Sequence, residues 1–125
     1  MRAMIHHLGV FASDFAASRP FYVAALWPLG IQVGHETDGI AEFWLDRVRH
    51  AFSVAGDGQR CPDSRHAIAF IASTRHQVDE FYDSAMKAGA SPRHAPRHWP
   101  EYGAYCAFVS DPDGNNSEAV HKEGT

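Results

Sequence analysis

Cysteine is scarce in this chain of 125 residues. Its two cysteines, Cys61 and Cys106, lie far apart and share no motif. Two thiols in such an arrangement are too few for a disulfide framework or a cysteine-ligated zinc site. The sequence therefore excludes small disulfide-stapled domains and zinc fingers.

Basic runs and long apolar runs are missing as well. The net charge is −4 at pH 7, and no cluster of Lys and Arg interrupts it, which argues against a nucleic-acid surface. No apolar stretch approaches the length of a membrane span, and the N-terminus lacks the charged-then-apolar pattern of a signal peptide. We expect a cytoplasmic protein that binds a small molecule and has no nucleic-acid or membrane partner.

Apolar residues and histidines are what the chain does have. Residues of apolar type make up 45 % of the sequence, which is enough for one domain with one core. Histidine occurs 9 times, so a metal site is worth testing.

The two halves of the chain repeat each other. A spacing of 59 residues relates three pairs, namely His7 and His66, Phe11 and Phe70, and Gly30 and Gly89. With one extra residue in the second half, a spacing of 60 relates Phe21-Tyr22 to Phe81-Tyr82. Each half reads strand, helix and three strands, which predicts an α+β fold of two βαβββ modules at 1–58 and 65–125 with a linker at 56–64. A unit of about 60 residues buries too little surface to be stable alone, so the modules should form one domain around a shared curved mixed sheet.

Element boundaries follow from caps and breakers. Ser13 or Asp14 can cap the first helix, and Pro20 suggests a separate first turn at Phe15–Ser18 before the main helix. Ser73 or Thr74 can cap the second helix, predicted at Arg75–Ala88. The eight strands are expected at 4–12, 31–35, 40–45, 51–54, 66–72, 93–97, 104–109 and 116–120.

The last strand carries a carboxylate that needs an explanation. Glu118 follows the turn Asp111–Gly114, and an ionised group in mid-strand is costly to bury without a cation or donor. Our interpretation is a divalent metal ion bound by Glu118 with His7 and His66.

Strand alternation sorts the faces of the predicted strands. His7 shares a face with Gly9 and Phe11. His66 shares one with Ile68 and Phe70, while Ala67 and Ala69 should pack against a helix. A four-residue turn would place Ala107 opposite Glu118, with Tyr105 on the face of Glu118 and Cys106 and Phe108 towards the helices.

These motifs resemble the vicinal oxygen chelate superfamily of glyoxalases, bleomycin resistance proteins and extradiol dioxygenases. The resemblance covers nearly the whole chain and rests on three stretches: Ile5–Val10 followed by Ser13-Asp14, His66–Phe70, and Asp111–Asn115 with Glu118. It implies two βαβββ units around a divalent ion held by His7, His66 and Glu118, and a homodimer.

The ligand set also limits the chemistry. Two imidazoles and a carboxylate could hold Fe(II), Mn(II), Ni(II) or Zn(II), and the ion would bind a substrate through two adjacent oxygens. The glyoxalase I branch has a fourth, acidic ligand in the last strand of the first unit. Here that strand reads Ala51-Phe52-Ser53-Val54, so dioxygenase-like chemistry is favoured over lyase or isomerase chemistry. The alternatives are a metal-free protein that sequesters a ligand and a structural domain with a vestigial site.

Other side chains complete the predicted site. Tyr105 is the candidate catalytic residue, as a donor to a bound oxyanion or as an acid. The segment 93–102 could close over the cleft and bind an anionic substrate through Arg97, His98 and Tyr102; the other interpretation is a solvated loop.

Overall fold

The computed structural model describes residues 8–45, 50–56 and 67–123. The elements in these ranges are β1 (Leu8–Ala12), α1 (Phe15–Leu26), a 3₁₀ turn (Trp27–Leu29), β2 (Gln32–Thr37), β3 (Ile40–Trp44), β4 (His50–Gly56), β5 (Ala67–Ile71), α2 (Arg75–Lys87), β6 (Ser91–Trp99), a second 3₁₀ turn (Pro100–Tyr102), β7 (Ala104–Ser110) and β8 (Asn116–Lys122). Apart from Gly56, the predicted linker lies outside the described residues.

The strands form two four-stranded sheets of the same design. The first has the order β1-β4-β3-β2 and the second the order β5-β8-β7-β6. In each sheet the first and last strands of a βαβββ module are parallel neighbours, and the other neighbours are antiparallel. The predicted fold class, α+β with two repeated modules, is confirmed. The expected single shared sheet was wrong, because each module forms a four-stranded sheet of its own and the two meet through side-chain packing.

Both helices begin where the sequence provides a cap. Asp14 accepts a hydrogen bond from the backbone N of Ala17, and Thr74 accepts one from the backbone N of Gln77. Each cap satisfies a backbone donor that the first helical turn leaves free. None of the helices in the described ranges is long and apolar enough to span a membrane.

Pro20 does not divide α1, and the prediction of a separate first turn was wrong. The helix runs unbroken through Phe15–Leu26 with the proline inside it. A proline removes the hydrogen bond to the carbonyl four residues earlier, that of Ala16. Both Ala16 and Pro20 are exposed, so water can hydrate that carbonyl.

A single core joins the two modules. The largest fully buried side chains include Tyr22 of α1, Phe52 of β4 and Phe81 of α2. The ring of Tyr22 lies 5.2 Å from that of Phe52, which meets Phe70 of β5 edge-on at 5.4 Å. The face of each sheet that packs into this core is called here its closed face, and the other its open face.

The second module forms hydrogen bonds with the first through the turn between β7 and β8 and the start of β8. Tyr22 donates its hydroxyl hydrogen to Asp111 at 2.5 Å, and the hydroxyl oxygens of Tyr22 and Ser117 are 3.3 Å apart. The backbone N and the hydroxyl of Ser13 bond the carboxylate of Asp113. Burial, with the charge of Asp111 beside it, raises the pKa of Tyr22 far above its ordinary value, so this hydroxyl stays protonated.

The structural repeat has a spacing of 60 residues through the first strand and helix of each module. The caps Asp14 and Thr74 have this spacing, and so do the buried pairs Val10 and Phe70, Ala12 and Ala72, and Phe21 and Phe81. At the predicted spacing of 59, Phe11 would match Phe70, but Phe11 is 45 % exposed and Phe70 8 %. The spacing of 59 holds only after the helices, where Gly30 and Gly89 both adopt positive φ.

Candidate active site

Glu118 lies on the open face of the second sheet, at a hollow of about 430 Å³. On this face it shares β8 with Asn116 and Val120, as alternation predicted. The lining residues of the hollow come from the second 3₁₀ turn, β7 and β8: Tyr102, Ala104, Cys106, Phe108, Glu118, Val120 and Lys122.

The carboxylate of Glu118 is half-buried and has one neutral donor. Burial raises its pKa, and the hydrogen bond from Asn116 Nδ2 to Oε1, 3.2 Å long, lowers it by less. No basic side chain in the described ranges forms an ion pair with it. A partly desolvated carboxylate with so little compensation is suited to accept a cation or a proton.

Cys106 reaches the same hollow as a buried free thiol. Burial, and then the negative charge of Glu118, raise the pKa of this thiol. Because the thiolate is disfavoured, the side chain contributes a small apolar surface to the hollow rather than a nucleophile.

The predicted pairing of β7 with β8 was wrong by one residue. Phe108, not Ala107, pairs with Glu118, and Tyr105 pairs with His121. The reason is the turn: the backbone N of Asp111 donates to the carbonyl of Asn115, so the turn is one residue longer than predicted. A shift of one residue exchanges the two faces of a strand.

Tyr105 consequently lies on the closed face, away from Glu118. Its hydroxyl donates to Asp79 of α2 at 2.8 Å, and the guanidinium of Arg75 lies 4.7 Å from its ring centre. The hydrogen bond with Asp79 raises the pKa of Tyr105. Placing Tyr105 beside Glu118 was an error, while Cys106 and Phe108, predicted to face the helices, line the hollow instead.

The face assignment of β5 was also wrong. Ala67 and Ala69 pair in parallel with Asn116 and Glu118, so they belong to the open face. Ile68 and Phe70 are buried in the core. Ala67 and Ala69 were predicted to face the helices. Ile68 and Phe70 pack into the core instead, because large apolar side chains gain most from burial.

The histidine ligands, His7 and His66, lie outside the described residues. Within the described ranges no three potential metal-ligating side chains cluster. Gly9 and Phe11, predicted to share a face with His7, are exposed, while Val10 and Ala12 are buried. Ile68 and Phe70, predicted to share a face with His66, are buried in the core.

The residues predicted to bind substrate fall into two groups. Residues 91–99 form β6, not a loop. Tyr102 lines the hollow of Glu118, and Arg97 stacks its guanidinium over the ring of Trp99 at 3.4 Å. His98 pairs in register with Tyr105 and contacts Glu123 at 2.7 Å, so it lies on the other side of the sheet.

Sequence reasoning missed Phe108 as a site residue, although counting a five-residue turn would have placed it opposite Glu118. It selected the segment 93–102 but not Trp99 and His94 within it. Their faces could not be predicted, because β6 changes register twice, between Pro92 and His94 and between His94 and Arg97.

The first module presents a different open face. Gly9, Ser53 and Glu42 are neighbours across β1, β4 and β3. The indole N–H of Trp44 donates to Glu42 at 3.4 Å. Ser53 pairs with Gly9 in the first module, as Glu118 pairs with Ala69 in the second. The last strand of the first module therefore carries a serine, not an acid, at this position.

The family follows from the sequence match. The chain belongs to the Glyoxalase/Bleomycin resistance protein/Dioxygenase superfamily, whose family model matches residues 4–119. No curated protein matches the chain by sequence.

Solved structures agree on the fold. A glyoxalase/bleomycin resistance protein from Albidiferax ferrireducens T118 is 27 % identical, with a TM-score of 0.79 over 96 % of this chain and 99 % of that one. A lactoylglutathione lyase from Agrobacterium tumefaciens is 19 % identical, with a TM-score of 0.70 over 97 % and 95 %.

A third structure carries ligands. It is an E126Q mutant of the fosfomycin resistance protein FosX from Listeria monocytogenes, complexed with Mn(II) and 1S,2S-dihydroxypropylphosphonic acid. It is 14 % identical, with a TM-score of 0.66 over 96 % of this chain and 90 % of that one. At this identity the likeness concerns the fold alone.

Proposed function

We propose that the chain is a divalent-metal-dependent enzyme that acts on a small molecule bearing two adjacent oxygens. The observation that carries this proposal is the half-buried carboxylate of Glu118, which faces a hollow of about 430 Å³ and pairs with no basic side chain in the described ranges. A metal ion would supply the missing positive charge.

Glu118, His7 and His66 are the proposed ligands. A carboxylate and imidazoles fit Fe(II), Mn(II), Ni(II) or Zn(II) equally well in donor chemistry. When bound, the ion would stabilise negative charge developing on the substrate oxygens. FosX, with Mn(II) and a vicinal diol, is a member of this fold whose ligands suit that chemistry.

The chain's own side chains set the surroundings. Asn116 donates to Oε1 of Glu118 and leaves Oε2 available. Phe108, which pairs with Glu118 across the strands, and Val120, two residues along β8, line the hollow with apolar surface and reduce the hydration of the carboxylate. We favour dioxygenase-like over lyase or isomerase chemistry, since the equivalent strand of the first module carries Ser53 where an acidic group would serve proton transfer.

We also propose a homodimer. Contacts between the modules run through their closed faces, as in the pair Phe52 and Phe70 and the pair Tyr22 and Ser117. This arrangement leaves both open faces on the outside of the domain, so a second copy could cover each of them. The charge and composition of the chain support a cytoplasmic location.

One observation favours a second candidate, a metal-free protein that binds a ligand without chemistry. At the observed spacing of 60, the second-module counterpart of residue 7 in the sequence is Ala67, which lies on the open face and carries no donor. A site without that ligand would hold an ion less tightly.

Metal loading tests the proposal. Metal-stripped protein is incubated separately with Fe(II), Mn(II), Ni(II) and Zn(II), and the bound metal is measured for the native chain and for Glu118→Gln, His7→Ala and His66→Ala. Glu42→Gln is the matched control, because that carboxylate lies on the open face of the other module. We expect one ion per chain, retained in Glu42→Gln and lost in Glu118→Gln and His7→Ala.

The outcomes separate the candidates. Failure of all four ions to bind would refute the metal-dependent enzyme and favour the metal-free protein. Loss of metal in His66→Ala would support the three-ligand set, and full retention would remove His66 from it.

A further inference from the structure

Four aromatic rings line a second hollow next to that of Glu118. Trp99 lies 5.0 Å from His94 and 5.3 Å from Phe108, both edge-on, and 5.9 Å from Tyr102 in a stacked arrangement. With Arg93 and Asn116 these rings enclose about 410 Å³. Tyr102 and Phe108 line both hollows, so the two are adjacent parts of one surface.

Two arginines at this surface have no acidic partner in the described ranges. Arg93 donates to the Ser110 hydroxyl at 2.7 Å and the Gly114 carbonyl at 3.1 Å, and Arg97 donates to the carbonyl of His98 at 2.9 Å. All three acceptors are neutral. The other two arginines of the described ranges have acidic partners: Arg19 pairs with Glu36, and Arg75 pairs with Glu123.

Trp99 adds an unused donor. Its indole nitrogen is buried and has no hydrogen-bond partner among the described residues. A buried N–H without an acceptor is costly, and an oxygen atom brought by a ligand would remove that cost. Arg93 lines the hollow together with Trp99, so its guanidinium is positioned to contact the same ligand.

We propose that this aromatic hollow binds the flat aromatic body of an anionic ligand, of the aryl carboxylate class, with Arg93 holding the charge. The proposal rests on the proposed function and names its substrate class. The rings provide stacking surfaces for the flat part, and an unpaired guanidinium on that wall selects an anion over a neutral molecule.

Binding of 2-naphthoate to metal-stripped protein, measured by calorimetry, tests the proposal. Two comparison compounds isolate its two requirements: 2-naphthamide keeps the rings without the charge, and decahydro-2-naphthoate keeps the charge without flat rings. We expect each to bind at least about fivefold more weakly than 2-naphthoate. Arg93→Gln should weaken 2-naphthoate binding about tenfold, and Arg19→Gln, which removes a charge elsewhere, should leave it unchanged.

Trp99→Leu provides a second variant, checked for native circular dichroism, and should also weaken binding about tenfold. Equal affinity for the acid and the amide, an unchanged affinity in Arg93→Gln, or no binding at millimolar ligand would each overturn the proposal. Because no metal is present, a chain that binds 2-naphthoate but takes up no ion would refute only the metal-dependent function. The reverse result would refute only the aromatic anion site.

Discussion

The two modules share a framework and differ on their open faces. Both place a parallel pair of strands beside a capped helix, with buried residues at a spacing of 60. On the open face, the first module pairs Gly9 with Ser53, and the second pairs Ala69 with Glu118. The matched core positions are apolar in both modules, while the matched outward positions carry different residues.

The difference shows which module carries the candidate chemistry. Glu42, the half-buried acid on the first open face, accepts a hydrogen bond from the indole of Trp44. The ring of Trp44 also crosses Gly34 so closely that a Cβ there would lie 2.4 Å from it. Trp44 thus covers part of the first face, whereas the second has adjacent hollows beside its carboxylate.

Truncation of matched core residues should give the largest effect. Phe21 and Phe81 are both almost completely buried at equivalent positions of the two helices. We expect Phe21→Ala and Phe81→Ala each to lower the free energy of unfolding by about 3–5 kcal/mol, measured by urea denaturation. A loss below about 1 kcal/mol in one of them would show that its module does not contribute to a shared core.

The tyrosines beside them should behave differently. Tyr22→Phe removes a buried donor to Asp111 and should cost about 1–3 kcal/mol, because the carboxylate keeps its burial and loses a partner. Tyr82→Phe, at the equivalent position of α2, is the control and should cost less than about 0.5 kcal/mol, since its side chain is only partly buried. Equal losses would contradict the assigned role of the Tyr22 hydroxyl.

A new histidine can test the corrected face of β5. Ala67→His should place an imidazole on the face of Glu118 and raise the affinity for Zn(II) about tenfold, measured by competition with a chelating dye. Ile68→His, one residue along, should not raise it, because that position points into the core. Stronger zinc binding in Ile68→His than in Ala67→His would restore the original face assignment.

The pH dependence of Glu118 should give the smallest effect. Burial raises its pKa in the folded, metal-free protein, so the ionised form costs stability above that pKa, and the cost disappears as pH falls below the unfolded value. Glu118→Gln should therefore raise the Tm at pH 7 by about 1–3 °C and leave it unchanged near pH 3. With saturating metal, Glu118→Gln should instead lower the Tm at pH 7. In the metal-free state at pH 7, a Tm lower for Glu118→Gln than for the native chain would contradict this account.

The succession of strands and helices along the chain, the candidate helix caps and the presence of a turn before β8 were predictable from sequence, since caps, breakers and apolar periodicity are local signals. The faces of β5 and β7 were not predictable in the same way. The face of a β7 residue depends on the length of the turn that follows it, and the face of a β5 residue depends on which side of the strand packs into the core. One additional residue in the turn at Asp111–Asn115 exchanged Tyr105 for Phe108 beside Glu118. Irregular pairing in β6 likewise hid the position of Trp99.

The most direct test is a crystal structure of the zinc-loaded protein with anomalous scattering recorded at the zinc edge. The account predicts one ion per chain at about 2.0–2.2 Å from a carboxylate oxygen of Glu118, on the open face of the second sheet. An ion bound on the face of Glu42, or crystals grown with excess zinc that show no ion at Glu118, would contradict it.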